Sequence, residues 1–374
     1  MALSAKALIG AGALATLLVA PLVAGDGFGG GFWFGGAGGG SSHSGGGTSD
    51  GGYHRGEARI VTVDANGGSE FRSINAAIQA AGWGGTVKVK SGIYVESLDI
   101  KRPVTIVGEV HEPGEFPLPV QVEAPPDKPC ANISVAESGF VGLMQIGLRA
   151  GSANVQRACV ELHRGFLAVK DATIVAPSYV SAVIARGGHL SIENTSISGG
   201  REGVLITASD MIGGLGSVNT FYLVHNKIAN NITGVKVDAL AQVNIVGNDI
   251  YNNSNDGVIY FQGRGTIIGN DIHDNKRSGV VLQDGNQSPT VRANKIFANV
   301  GSGIEIVPGT TAVTPELGRP IPVSRGEICD NLISGNRGSA IDSKVDSLSL
   351  NCKNDISGNR DNRRGHGWQR GVNE

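Results

Sequence analysis

Residues 247–257 read GNDIYNNSNDG, and residues 269–279 read GNDIHDNKRSG, the same phrase displaced by 22 residues. Self-similarity at a period of roughly 20–50 residues marks a repeat architecture. The shared kernel, Asn-x-Ile-x-x-Asn, recurs at Asn226/Asn231, Asn248/Asn253, Asn270/Asn275, Asn294/Asn299, Asn331/Asn336 and Asn354/Asn359, so its first Asn advances by 22, 22, 24, 37 and 23 residues. The long step is an ordinary one enlarged by a loop, which the turn-rich stretch Gly309–Pro322 (GTTAVTPELGRPIP) supplies. After most copies comes a small residue and then alternating apolar positions: GVKV (234–237), GVIY (257–260), GVVL (279–282) and GIEI (303–306). Weaker copies lie upstream at CVEL (159–162), AVIA (182–185) and GVLI (203–206).

Two folds use repeats of this length with an Asn ladder, the leucine-rich repeat and the parallel β-helix. A leucine-rich repeat needs a large apolar residue three places after the Ile, where every copy here has Asn, and no helical segment is present to form its outer layer. In a β-helix each repeat is one coil of short parallel strands. Ile228, Ile250, Ile272, Ile296, Ile333 and Ile356 then form one inward column. The Asn columns fall where the chain corners, because Asn tolerates the left-handed backbone region. Stacked amides also hydrogen-bond along the axis. Coils of 22–24 residues without a hexapeptide rule indicate the right-handed form. The fold class is therefore all-β, a single-stranded right-handed parallel β-helix of about ten coils, ~45–50 Å long. Phe71–Ala81 (FRSINAAIQAA) places Phe71, Ile74, Ala77, Ile78 and Ala81 on one helical face and is expected to cap the first coil, after a turn at Asp64–Gly68 (DANGG).

The chain has 374 residues, 58 of them Gly, about twice the usual share. Net charge is −2, so no overall field draws it to nucleic acid or to acidic membranes. Residues 1–24 carry Lys6 and then ALIGAGALATLLVAPLVA, a pattern similar to an export signal cut after Ala24 or Gly25. An uncleaved anchor is the alternative, because 18 apolar residues are long for a signal. Residues 25–57 form a Gly-rich tether in which Phe28, Phe32, Trp33 and Phe34 offer sticky positions for a partner. The β-helix spans 58–360, and 361–374 is a basic tail. Export suits the four cysteines. The repeat favours Cys329–Cys352 and Cys130–Cys159 among the three possible pairings, because stacked coils bring equivalent positions to ~4.8 Å. No His stands at ligand spacing to them, so no metal is expected, and no sequence feature calls for a cofactor.

Gly85–Glu109 (GTVKVKSGIYVESLDIKRPVTIVGE), with the helix before it, resembles the opening of the pectin-lyase-like superfamily, especially pectinesterases and the carbohydrate-binding and sugar-hydrolase repeat group. Ala131–Leu148 (ANISVAESGFVGLMQIGL) and Gln156–Leu162 (QRACVEL) continue the resemblance, which covers roughly 58–206 and extends through the Asn-x-Ile repeats. The resemblance implies a polysaccharide groove along the strands that follow the second Asn. It does not carry the family's catalytic residues. Where pectinesterases have Gln-Asp-Thr-Leu, this chain reads DATIVAPSYV (171–180), and GGREGVLI (199–206) offers only Glu202 in place of the second Asp. Polygalacturonase motifs and the Asp-Pro-His-Asp of mannuronan epimerases are absent, and Gly365-His366-Gly367 stands in the tail beyond the last coil.

Alternation along those strands assigns two outward columns. One runs Glu161, Ile184, Leu205, Lys236, Ile259, Val281, Glu305, Asp342. The other runs His163, Arg186, Thr207, Asp238, Phe261, Gln283, Val307, Lys344. The first functional reading is an exported protein that binds a polysaccharide or cell-envelope glycan without catalysis, through Glu161, Phe261, Gln283 and Glu305. The second is a lyase or epimerase acting on uronic acids, in which His163, Arg186, Lys236 and Asp238 supply the base and the cation that such chemistry requires. The third is a cell-envelope scaffold or assembly factor, which needs the apolar outward residues Ile184, Leu205, Ile259 and Val281 left uncovered. Under the first two readings a loop such as Ser209–Thr220 folds over them. Nucleic acid is not an expected partner, a membrane is one only through an uncleaved N-terminal segment, and the sequence does not set the oligomeric state.

Overall fold

The computed structural model describes residues 57–109, 118–151, 158–207, 219–283, 288–309, 326–344 and 352–364. The leader, the tether through Gly56, most of the loops at 309–322 and 209–220, and the tail beyond Arg364 lie outside them. Every strand pairing recorded is parallel, and each strand pairs with its equivalent one coil on. The strands wind through three faces. Face A runs from Leu98–Ile100 through Ala158–Arg164, Ser181–Ala185 and Ile304–Val307 to Asp361–Arg364. Face B runs from Ile60–Val63 through Phe166–Lys170 and His189–Glu193 to Ile328–Cys329. Face C is an 11-stranded sheet from Gly92–Val95 to Asp355–Ser357. Thr233–Val246 and Val258–Ile268 run unbroken from face A into face B and join the two into a 20-stranded sheet. Eleven strands on face C put the coil number slightly above the ten read from the sequence. The extra coils precede the first Asn-x-Ile copy and lack its signature.

The repeated phrase is explained residue by residue. Ile228, Ile250, Ile272, Ile296 and Ile333 lie in register and are fully buried, while Ile356, on the last coil, is only partly covered. Each ladder Asn sits at a corner, and from Asn248 and Asn253 onward each accepts, at Oδ1, from the backbone N–H and the Nδ2 of its counterpart one coil earlier; Asn226 and Asn231, which open the ladders, accept from the N–H groups of Thr195 and Gly200. For Asn270 these bonds come from Asn248, at 2.8 and 3.0 Å. The left-handed residue is not the ladder Asn, as the sequence reading expected, but the one before it: Gly247, Gly269 and Ala293 at one corner, Asn252, Asp274 and Ala298 at the other. The preceding residue makes the turn, which leaves the Asn side chain directed inward to bond. The 37-residue step leaves the register intact, since Ile296 still pairs with Ile333.

The small residue that opens each face-A strand is also required. A Cβ on Gly257 would stand 2.6 Å from the Gly279 carbonyl oxygen and 2.8 Å from Ile272 Cγ2. Gly234, Gly279 and Gly303 meet the same obstruction from their own next coils. From Gly203 to Gly303 the corner closes tightly because that stretch of the column carries no side chain.

Both expected disulfides are present, Cys130–Cys159 with Cα atoms 4.7 Å apart and Cys329–Cys352 with 5.3 Å. The capping helix spans Ile74–Ala80 and buries Ile74, Ala77 and Ile78 against the first coil. It starts later than the apolar periodicity suggests. Ser73 takes an extended conformation and caps the Ala76 N–H, and Phe71 instead bridges to Val63. The Glu96 carboxylate accepts from the N–H groups of Ile74 (2.7 Å) and Asn75 (3.1 Å), where the helix leaves donors unpaired. At Asp64–Gly68, Asp64 Oδ1 accepts from Asn66 N–H, the turn the sequence indicates.

Candidate functional site

Face A presents the first outward column in unbroken register: Glu161 beside Ile184, then Leu205, Lys236, Ile259, Val281, Glu305 and Asp342. Asp99 and Asn132 extend it toward the N-terminal cap. The second column follows for His163 and Arg186. The Arg186 N–H donates to the Leu162 carbonyl at 2.8 Å, which sets these two side chains on neighbouring coils. Phe261 departs from it. The register shifts after Val237, so Asp238 pairs with Gln262 rather than with Phe261. The shift falls where the two continuous strands bend from face A to face B, and it carries the Phe261 ring to 5.4 Å from Lys236 Nζ.

Three charged groups occupy the face. In the first, the Glu161 carboxylate is nearly buried; its Oε1 accepts from Ala158 N–H at 3.0 Å and its Oε2 stands 3.4 Å from His163 Nε2. A carboxylate fixed by the backbone thus holds the histidine ring, while the exposed Arg186 one coil on makes no ion pair among the described residues. In the second, Lys236 Nζ and Asp238 Oδ2 are 3.7 Å apart, a loose exposed pair worth little by itself. His163 and Asp238 stay apart, three coils distant. The third group was only partly legible. Glu305 accepts from Ser278 Oγ at 3.0 Å and from Lys344 Nζ at 2.6 Å. The buried Asp256 accepts from the Ser278 N–H at 2.9 Å, with Arg277 Nη1 3.5 Å from its other oxygen.

The third group's two carboxyls are pushed in opposite directions. Burial raises Asp256 above the usual carboxylate range, against the opposing bond from Ser278 and the charge of Arg277, and nearby Glu305 adds to the rise. Burial acts the same way on Glu305, but the hydrogen bonds from Lys344 and Ser278, with the charges of Lys344 and Arg277, outweigh it and hold that carboxyl low. Asp256 has a sequence signal that went unread. A polar residue precedes the small residue in each copy, at Glu202, Thr233, Asp256, Ser278, Ser302 and Ser339. Glu202, the lone carboxylate of the pectinesterase comparison, is held there by Ser181 Oγ and Arg201. Gln283 pairs with Val307 at the edge of the face and is half-buried.

Three of the four apolar outward residues are buried, and the fourth, Ile259, is half-buried. Ile184 and Leu205 are buried with Ala158 in a cluster apart from the core, and Val281 is buried as well. Among the described residues, Glu327, Cys329 and Cys352 have donor atoms within 4.8 Å of one another, but the two sulfurs are bonded together.

The family of right-handed β-helix regions matches residues 159–317. The curated proteins contain no match. Among solved structures, the A-module of mannuronan C-5 epimerase AlgE4 from Azotobacter vinelandii is similar, with a TM-score of 0.52 at 17% identity over 78% of this chain and 92% of that one. Periplasmic alginate epimerase AlgG gives 0.40 at 15% identity over 74% and 76%. Pectin methylesterase from Aspergillus niger gives 0.39 at 13% identity over 83% and 86%. These are likenesses of fold.

Proposed function

We propose, from the premise that the chain is a right-handed parallel β-helix of the pectin-lyase-like superfamily, that it is exported and binds a polysaccharide along face A. One observation supports the reading: the outward column of face A runs in unbroken register from Glu161 to Asp342 and sets the Glu161–His163, Lys236–Asp238 and Glu305–Lys344 groups along one line. That column repeats at ~4.8 Å along a line, suited to a polymer whose units also repeat along a line. Its N-terminal half offers the Glu161–His163 pair and the exposed guanidinium of Arg186, which has no ion-pair partner among the described residues and suits an acidic sugar. Lys236, Asp238 and Phe261 offer contacts farther along, with Gln283 and Glu305 beyond them. Two disulfides fit an oxidising compartment.

A second reading, a lyase or epimerase, draws on the oppositely shifted carboxyls of Asp256 and Glu305 and on the carboxylate-held His163, since acid–base work needs groups tuned apart. The scaffold reading has less to draw on, with Ile184, Leu205 and Val281 buried and Ile259 half-buried. A panel of immobilised neutral glycans and polyuronates separates the remaining two. Retention of a polyuronate, weakened about tenfold or more by Arg186→Ala, supports the binding reading. New absorbance from unsaturated sugar ends, lost in His163→Ala, supports the lyase. Absence of retention on every polymer overturns both.

A further inference from the structure

Face B, on the other side of the coil corner, carries an exposed surface that no reading above uses. On two neighbouring coils, Phe166 stacks on His189 with ring centroids 4.3 Å apart, and Lys170 Nζ lies 3.1 Å from Glu193 Oε1. Between these two ridges runs a floor of small residues, Gly142, Ala168 and Ser191, in register. Phe140, Phe166 and Tyr222 are exposed at 46%, 38% and 40%, large apolar area for a flat sheet face.

We propose that face B is the interface of a symmetric dimer, with a second copy of this chain packed on it about a two-fold axis parallel to the strands and midway between Phe166–Lys170 and His189–Glu193. Such an axis reverses the order of coils and keeps the columns. The register then fixes every opposition. Lys170 meets the second copy's Glu193, and Glu193 meets its Lys170, so the one charged pair in the middle of the face is its own complement. Phe166 meets the second copy's His189. Two coils out, Tyr222 faces the second copy's Gly142, the position on the floor with no side chain. Beside it Met144 meets Val224, and Val107 meets Val246. A projecting ring opposite a glycine, apolar opposite apolar and opposite charges at the centre are what an isologous contact needs, and no other pair of coils on this face produces all three about one axis. Five strands lie on each side of the axis, from Ile60–Val63 to Thr290–Arg292. At ~4.8 Å per strand and ~16 Å of strand length they cover about 700 Å² per copy, close to the ~800 Å² of a standard interface.

Packing through face B leaves face A of both copies outward, so the proposal stands or falls independently of the glycan reading. Its test is sedimentation velocity on the full chain at micromolar concentrations, with circular dichroism to check that each variant is folded. The wild type is expected to sediment as a dimer. Lys170→Glu places like charges together at the axis and is expected to weaken association about tenfold or more. The double variant K170E/E193K restores the complement and the dimer. Tyr222→Arg breaks it from a second position. A wild type that stays monomeric overturns the proposal, as does a dimer indifferent to both Lys170→Glu and Tyr222→Arg.

Discussion

The Asn ladder makes a quantitative demand on stability, and Asn270 is the place to test it. Its side chain is fully buried. Oδ1 accepts two bonds from Asn248, and Nδ2 donates to the Ile245 carbonyl at 2.8 Å and to Asn294 Oδ1 at 2.9 Å. Asn270→Ala removes these four and the longer Nδ2 bond to the Ile268 carbonyl at 3.2 Å, and leaves the buried Asn248 backbone N–H without its acceptor. A neutral hydrogen bond contributes about 1 kcal/mol net, and a buried N–H left unpaired costs about 1–3 kcal/mol. The bonds share partners and do not add fully, so the expected loss is about 3–5 kcal/mol, a large part of the ~5–15 kcal/mol that holds a typical domain together. Ser254→Ala, at an exposed position of the neighbouring corner, is the control, expected within ~0.5 kcal/mol of wild type. Urea denaturation followed by circular dichroism gives both values. Because a solenoid can open locally, hydrogen exchange at the Asn248 amide gives a second readout, and its protection should fall in the variant. Equal stability of Asn270→Ala and Ser254→Ala, with Asn248 still protected, would refute the assignment of the ladder as a principal brace.

Three further outcomes follow from the same structure. Gly257→Ala drives a methyl into the Gly279 carbonyl and should cost about 1–3 kcal/mol in urea denaturation, whereas the same change at Gly269, where a Cβ meets nothing within 4 Å, should cost only its left-handed backbone strain of about 1 kcal/mol. Replacing Cys130 and Cys159 by Ser opens a loop closed over 29 residues and should lose about 3–4 kcal/mol of stability, read as a fall in the urea midpoint. The folded state holds Glu305 below its ordinary value of 4.5, so its contribution is present above that pH and is lost as pH falls through the lower folded value. Asp256 has the opposite sign, since its folded value lies above the ordinary 3.8 and stability rises as pH falls through it. Stability against pH should therefore lose its fall below pH 4.5 in Glu305→Gln, and in Asp256→Asn should lose a rise just above pH 3.8.

What could be read from the sequence was whatever the coils repeat. The Ile and Asn columns, both disulfides and the first outward column of face A each follow from one position repeated once per coil, and stacking makes that repeat a contact. Features that break the step were not legible. The left-handed residues before the ladder are Gly, Ala, Asn, Asp and His by turns, because the corner needs a backbone angle rather than a side chain. Phe261 moved because a bulge shifts register at a bend that the polar pattern does not mark. Asp256 and Ser278 stand in a column of mixed polar residues, and no periodicity marks that Ser278 bonds to both Asp256 and Glu305. Face B left no trace at all, since the complement proposed for Gly142, Lys170, Glu193 and Tyr222 arises by reversing the coil order, which no periodicity reveals.

The proposal that face A receives a polymer is tested most directly by calorimetric titration with acidic oligosaccharides of increasing length, on the wild type and on Arg186→Ala. A linear site spread over successive coils predicts affinity that climbs with each added sugar and then levels off, with the whole series shifted weaker in the variant. Affinity that is flat from the monosaccharide upward, or a series unchanged by loss of the guanidinium, would contradict it.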